Sequence, residues 1–98
     1  MSTMVRNRTT TEDDITAEVI RRIEKTEDAR LREIMLSLVR HLHAFVKEVQ
    51  LNEKEWWQGI QFLTRAGHMC SEKRQEFILL SDTLGVSMVV DLISNRCV

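Results

Sequence analysis

The sequence predicts an all-α fold, a single domain of about five helices with one long central amphipathic helix. Two observations carry this prediction. The 98 residues include no proline and only three glycines, so few positions can interrupt a helix. Apolar residues also recur at a spacing close to 3.6 along almost the whole chain, which is the period of helices that bury one face.

The first two helices are predicted from their acidic starts. Residues 1–10 are polar and are expected to be a disordered tail, with the helical domain spanning residues 11–98. Helix one should begin near Thr11, because the acidic residues that follow suit the positive end of a helix dipole. Thr26 is the expected cap of helix two, which should cover residues 27–49.

Helix two carries the most regular apolar pattern in the chain. One stripe steps alternately by four and three residues, a period of about 3.5. We call it the Leu31–Val49 seam; it consists of Leu31, Met35, Leu38, Leu42, Phe45 and Val49. Ile34, Val39 and Val46 widen it on one flank. At about 1.5 Å per residue this helix is roughly 34 Å long, more than so small a globule requires. Part of the seam is therefore expected to contact a partner outside its own chain.

Helix three is predicted to open at a capping box formed by Asn52 and Glu55. Gly67 should end it in a left-handed conformation. Trp56 and Trp57 project about 100° apart on this helix. Packing in the core is the first interpretation of the two tryptophans, and an aromatic patch at a subunit or domain interface is the second.

Two short helices are predicted to complete the chain. Ser71 is the expected cap of helix four, and Gly85 is the expected stop. Ser87 should cap a last helix from Met88 to about Asn95.

Three segments carry a likeness to a known family. They read VRHLHAFVKEVQL over residues 39–51, EKEWWQGIQFLTRAGHMC over residues 53–70 and RQEFILLSDTLGVSM over residues 74–88. Together they resemble the N-terminal helical domain of intradiol ring-cleavage dioxygenases, most of all hydroxyquinol and catechol 1,2-dioxygenases. The resemblance runs from about residue 15 to about residue 94. It implies a homodimer, with an apolar tunnel between subunits that can hold a phospholipid or fatty acid.

The same resemblance implies the chemistry of the complete enzyme. Family members insert both atoms of dioxygen into a catechol or hydroxyquinol, using iron(III) held by two tyrosinates and two histidines of a following β-sandwich domain. This sequence contains no tyrosine. We therefore expect the catalytic domain to be absent, and the chain to bind no iron, to contain no catalytic residue and to be inactive alone. By resemblance, Leu79 and Asp82, one helical turn apart, line the mouth of the substrate pocket in the full enzyme.

Candidate metal ligands are sparse. His41 and His43 are two residues apart, so on a helix their side chains point about 200° away from each other and cannot share an ion. His68 and Cys70 provide too few ligands for a zinc site. Cys97 is interpreted as a bystander rather than a reactive thiol. Acidic pairs occur at helix starts, where carboxylates stabilise the dipole, and no metal site is predicted.

Composition and charge narrow the function classes. Hydrophobic residues make up 43% of the chain and charged residues 30%, with a net charge of -1. These values predict a cytoplasmic protein that neither binds nucleic acid nor inserts into a membrane. Two alternatives stay open. One is a stand-alone binder of a phospholipid or fatty acid. The other is a small DNA-binding domain, which is disfavoured because acidic residues are interleaved with the arginines.

Overall fold

A computed structural model describes residues 10–96, which form five α-helices and no strand. The helices divide into two compact units at Leu51. The first unit contains α1 (Glu12–Ile23) and α2 (Ala29–Val49); the second contains α3 (Glu53–His68), α4 (Glu76–Thr83) and α5 (Val86–Asn95). The predicted all-α class with five helices is confirmed. The predicted disordered tail lies outside the described residues, apart from its last position.

The helices of the first unit are opened by side-chain caps. Thr11 Oγ1 accepts the Asp14 N–H at 3.2 Å, and the Asp14 carboxylate accepts the Thr11 N–H at 3.0 Å, so α1 starts as predicted. The prediction that Thr26 caps α2 is wrong. Asp28 takes that role, because its Oδ1 accepts the Leu31 N–H at 2.9 Å. An ionised carboxylate also interacts favourably with the helix dipole, which the Thr26 hydroxyl does not.

Val39 forms the centre of the small core between α1 and α2. It is 9% exposed and is the one hydrophobic residue classed as buried in the described part of the chain. His43 and Lys47 follow it at successive turns of the same helix face. The Thr16 Oγ1 lies 2.6 Å from His43 Nδ1, and Lys47 Nζ lies 3.0 Å from Asp13 Oδ1. These two contacts show that α1 and α2 pack antiparallel.

The second unit opens with the predicted capping box. Asn52 Oδ1 accepts the Glu55 N–H at 2.8 Å, and Glu55 Oε1 accepts the Asn52 N–H at 3.1 Å. Trp56 and Trp57 lie in the first turn of α3, 42% and 52% exposed, with ring centroids 6.1 Å apart. Core packing is therefore the wrong interpretation for both. They precede the part of α3 that packs on α4, and the interface interpretation stays a prediction.

Gly67 does not stop α3, contrary to the prediction. The helix runs through it to His68, and Met69 is the C-cap with a right-handed φ of -84°. Gly67 instead lies beside the ring of Phe77 in α4. A Cβ at Gly67 would lie 3.6 Å from Phe77 Cζ, which is an ordinary van der Waals distance, so an alanine would also fit there. Neither the backbone conformation of Gly67 nor the space around it requires a glycine.

Ser71 does not cap α4 either. The helix begins at Glu76, and its N-cap residue Gln75 makes no side-chain capping bond. The Ser71 N–H donates to the Arg74 carbonyl at 2.8 Å, and Ser71 Oγ accepts the Lys73 N–H at 3.3 Å. The hydroxyl is thus used inside a turn that separates α3 from α4.

Gly85 forms the corner between α4 and α5. Its φ of 79° is left-handed, as predicted for the end of α4, and α5 begins at the next residue. The predicted cap Ser87 is wrong: it lies within α5, and its Oγ is 2.7 Å from Ser81 Oγ of α4. In residues 10–96 no single helix is long and apolar enough to cross a membrane, and only α4 and α5 taken together, bent by 80°, reach that length and composition.

Alanine at two glycines is expected to change stability in opposite directions. Gly59 lies inside α3, and a Cβ added there would meet open space, so Gly59→Ala should raise the free energy of unfolding by about 0.8–1 kcal/mol. Gly85 also has open space but a φ of 79°, so Gly85→Ala should lower it by about 1–2 kcal/mol through backbone strain. Urea unfolding followed by circular dichroism measures both. Equal effects of the two changes would contradict the assigned conformations.

Candidate functional site

A cleft of about 370 Å³ lies between α3 and α4 in the second unit. Each helix contributes a wall of four residues at the spacing i, i+3, i+4 and i+7, which places them on one helix face. The walls are Phe62, Arg65, Ala66 and Met69 from α3, and Glu76, Leu79, Leu80 and Thr83 from α4. Most of these side chains are apolar. The cleft can therefore take up an apolar group, with one guanidinium and one carboxylate among its lining residues.

Leu79 and Asp82 occupy neighbouring positions on α4. Leu79 lines the cleft, and its side chain is 52% exposed. Asp82 is exposed one turn later and is not among the residues that line the cleft. The helix thus presents an apolar group and a carboxylate side by side, as the spacing predicts. Their contribution to a substrate pocket stays a prediction.

The α3 wall of the cleft was not identified from the sequence. Phe62, Arg65 and Met69 were not singled out there as site residues. Their spacing was visible in the sequence and matches the spacing of the α4 wall. That matched spacing could have suggested that the two helix faces line one cleft. The sequence does not say, however, which helix packs against each face.

The Leu31–Val49 seam lies on a different face of α2 from Val39. At about 100° per residue the centre of the seam is roughly 80° around the helix from Val39. Helix α1 packs on the Val39 side and leaves the seam open. Five seam residues are exposed and Met35 is half-buried; the exposed ones are Leu31 (48%), Leu38 (47%), Leu42 (50%), Phe45 (52%) and Val49 (47%).

Two arginines of the first unit, Arg21 and Arg30, are paired with neighbouring acids. Arg21 lies 2.6 Å from Glu18, and Arg30 lies 2.8 Å from Glu33. The hydrogen bond from Arg21 lowers the pKa of the Glu18 carboxyl, and the same bond raises the pKa of Arg21. Both pairs are exposed to solvent and screened by salt. These pairs agree with the interleaved charges that disfavour a DNA-binding stripe.

The histidines and cysteines do not converge. His41 Nδ1 lies 2.8 Å from the Ser37 carbonyl on its own helix, whereas His43 contacts α1. Cys70 Sγ donates to a carbonyl of α3 at 3.4 Å. No group of three metal-ligating side chains occurs in the described part of the chain, and Cys97 lies outside it.

Comparison with known proteins identifies relatives of both units. Residues 28–97 match the family described as catechol dioxygenase N terminus. The 6-chlorohydroxyquinol 1,2-dioxygenase of Cupriavidus pinatubonensis is 59% identical over 76 residues, which cover 78% of this chain and 28% of the relative. The hydroxyquinol 1,2-dioxygenase of Nocardioides simplex is 53% identical over 85 residues, which cover 87% of this chain and 29% of the relative.

One solved structure is similar to this chain in both fold and sequence. The crystal structure of hydroxyquinol 1,2-dioxygenase from Pseudomonas putida DLL-E4 matches with a TM-score of 0.84 at 55% identity, over 87% of this chain and 30% of that one. This chain therefore spans less than a third of the length of these relatives. Because the family match runs from the start of α2 to the end of α5, the resemblance is confirmed: the chain belongs to the N-terminal helical family of the catechol dioxygenases.

Proposed function

We propose that this chain is the helical, non-catalytic part of a hydroxyquinol-type intradiol dioxygenase, where it joins two subunits and borders the substrate pocket. The observation that carries the proposal is the 53–59% identity with relatives named for hydroxyquinol or its chlorinated form. The aligned part is less than a third of each relative, so the ring-opening chemistry is assigned to the remainder of such an enzyme.

The subunit contact is proposed to use the Leu31–Val49 seam. Its residues are apolar and about half exposed, and they continue for the length of α2. Two copies of one helix face can pack on each other in an isologous dimer, in which every side chain contributes twice. Burial of this apolar strip supplies the favourable free energy of association. A phospholipid or fatty acid between the subunits stays a prediction from family resemblance.

The border of the substrate pocket is proposed to be formed by Leu79 and Asp82. The exposed Leu79 side chain offers an apolar contact for the face of an aromatic ring. The Asp82 carboxylate can accept a hydrogen bond from a ring hydroxyl. Their adjacent positions on α4 allow one substrate to meet both groups. The two residues therefore favour an aromatic ring with several hydroxyls as the substrate class.

The iron of the full enzyme is proposed to be held by residues outside these 98. Family resemblance implies two tyrosinate ligands, and these 98 residues include no tyrosine. When bound, the ferric ion supplies the Lewis acidity that activates the catecholate toward dioxygen. The part played by the present chain is to position subunits and to shape the entrance to the pocket. Nothing in the comparisons supports the alternative of a stand-alone lipid binder, which also stays a prediction.

The purified chain is expected to contain far less than stoichiometric iron and to consume no oxygen with hydroxyquinol. The physical reason is the absence of phenolate ligands, which also removes the visible tyrosinate-to-iron charge-transfer band. Metal analysis, an absorption spectrum and an oxygen electrode measure these properties, with the full-length Pseudomonas putida relative as the positive control. Stoichiometric iron or ring opening by the chain alone would contradict the proposal.

A further inference from the structure

A hydrogen bond between two serine hydroxyls joins the end of α4 to the start of α5. Ser81 Oγ lies 2.7 Å from Ser87 Oγ, and we call these two residues the serine pair. Both are half-buried, whereas every other residue of α5 is exposed. A serine inside a helix can bond to the carbonyl one turn earlier, so a bond between two helices is not required by helix formation itself. It is a link specific to this corner.

The serine pair closes a short loop of the chain that contains Asp82. The two serines are six positions apart, and Asp82 directly follows Ser81. Within this loop the Gly85 N–H donates to the Asp82 carbonyl at 3.1 Å. Gly85 also has the left-handed φ of 79° at the corner. The backbone of Asp82 is therefore held through the side chain of the residue before it and through its own carbonyl.

The direction of the Asp82 side chain depends on this backbone support. The carboxylate is exposed, and none of the ion pairs found in residues 10–96 includes it. Helix α4 by itself is weakly supported, because it has 8 residues, none of them buried, and its N-cap residue makes no side-chain capping bond. Helices this short are marginal in isolation. The serine pair thus supports the turn of α4 that carries Asp82.

The serine hydroxyls do not share the face of α4 that is assigned to the substrate pocket. At about 100° per residue, Ser81 projects roughly 130° away from the centre of the face formed by Leu79 and Asp82. Both hydroxyls are also used in their bond to each other. Any effect of the serine pair on a substrate must therefore pass through Asp82 rather than through direct contact.

We propose that Ser81 and Ser87 are positioning residues, whose hydrogen bond fixes the direction in which the Asp82 carboxylate meets a hydroxyl of the aromatic substrate. This proposal rests on the proposed function, in which Leu79 and Asp82 border the substrate pocket. A hydrogen bond weakens steeply when its angle is poor, so the contact made by Asp82 is sensitive to direction. The apolar contact made by Leu79 is not directional and should be affected less.

The test measures substrate selectivity in a chimaera, the full-length Pseudomonas putida relative with its aligned segment replaced by this chain. Catechol has only the two hydroxyls at the bond that is cleaved, so the third hydroxyl of hydroxyquinol is the one available to Asp82. Ser87→Ala should lower the ratio of kcat/KM for hydroxyquinol to that for catechol by about threefold to tenfold. The change should lie mainly in the KM for hydroxyquinol, because a contact of the bound substrate is weakened.

Three further variants separate positioning from stability. A loss of stability alone would reduce the amount of active enzyme and leave KM and the selectivity ratio unchanged. Ser94→Ala is the matched control, because it removes the same hydroxyl from an exposed position of α5. Ser87→Thr keeps a hydroxyl and should retain most of the ratio. In an Asp82→Asn background, Ser87→Ala should not lower the ratio further, since the serine pair acts through the carboxylate.

Hydrogen exchange in the isolated chain tests the serine pair without any activity. The Gly85 amide, which donates to the Asp82 carbonyl, should exchange about threefold to tenfold faster in Ser87→Ala. Amides of α2 should exchange at unchanged rates, because α2 belongs to the other unit. Nuclear magnetic resonance measures these rates residue by residue.

The possible failures are distinguishable. An unchanged selectivity ratio in Ser87→Ala, or a further fall of the ratio in the Asp82→Asn background, would show that the serine pair does not act through Asp82. Equal exchange of the Gly85 amide with and without the Ser87 hydroxyl would show that the bond does not hold the corner. An unmutated chimaera that is insoluble or opens no ring would contradict the proposed function, and with it the effect on substrate, whereas the exchange rates would still show whether the serine pair holds Asp82.

Discussion

Leu42→Asp is expected to convert a dimer of this chain into a monomer. Leu42 lies in the middle of the Leu31–Val49 seam and is 50% exposed in the single chain. In an isologous dimer the change occurs twice, so each interface loses two leucine side chains and gains two carboxylates in an apolar setting. We expect a loss of at least about 3 kcal/mol per dimer, which is more than a hundredfold in the dissociation constant.

Light scattering coupled to size exclusion at micromolar concentration measures the change. The unmutated chain should have twice the 11.5 kDa mass of one copy, and Leu42→Asp should have the mass of one copy. Ala44→Asp is the matched control, because Ala44 is exposed and points about 200° away from Leu42 on the same helix. A monomeric unmutated chain, or dissociation by Ala44→Asp as well, would contradict the assignment of the interface to the seam.

The helix starts show how far local sequence determines this fold. The start of α1 near Thr11 and the capping box at Asn52 were predicted correctly, since each depends only on side chains within the first turn of its helix. Thr26, Ser71 and Ser87 were predicted as caps and were wrong. A serine or threonine hydroxyl can serve a cap, a turn or a neighbouring helix equally well. The choice among these depends on backbone geometry and packing that a short sequence window does not contain.

The apolar pattern of α2 likewise predicts only part of what the structure shows. From the sequence, Val39 was interpreted as the flank of a single broad apolar stripe. In the structure Val39 is buried on the side of α2 that contacts α1, whereas the seam residues stay exposed. Periodicity gives the faces of a helix but not the neighbour of each face. Leu79 and Asp82 were selected by resemblance, and the wall that faces Leu79 across the cleft depends on the packing of α3 on α4, which the sequence alone does not give.

Val39→Asp is expected to separate α1 from α2 and to unfold the first unit. An ionised carboxylate at a position that is 9% exposed loses most of its hydration. The cost should be several kcal/mol, a large fraction of the roughly 5–15 kcal/mol that stabilises a small domain. Val39→Ala should cost about 1–2 kcal/mol, because it removes two methyl groups and leaves a small cavity.

Two spectroscopic signals can localise this loss. Helices α1 and α2 hold about half of the helical residues, so Val39→Asp should remove a large share of the circular dichroism signal. Both tryptophans of the chain, Trp56 and Trp57, lie in the second unit, so their fluorescence reports on α3 rather than on the mutated pair. Ala44→Asp again provides the control for an added charge on α2. A circular dichroism melt for Val39→Asp that matches this control would mean that α1 is not held on α2 by the face that Val39 occupies.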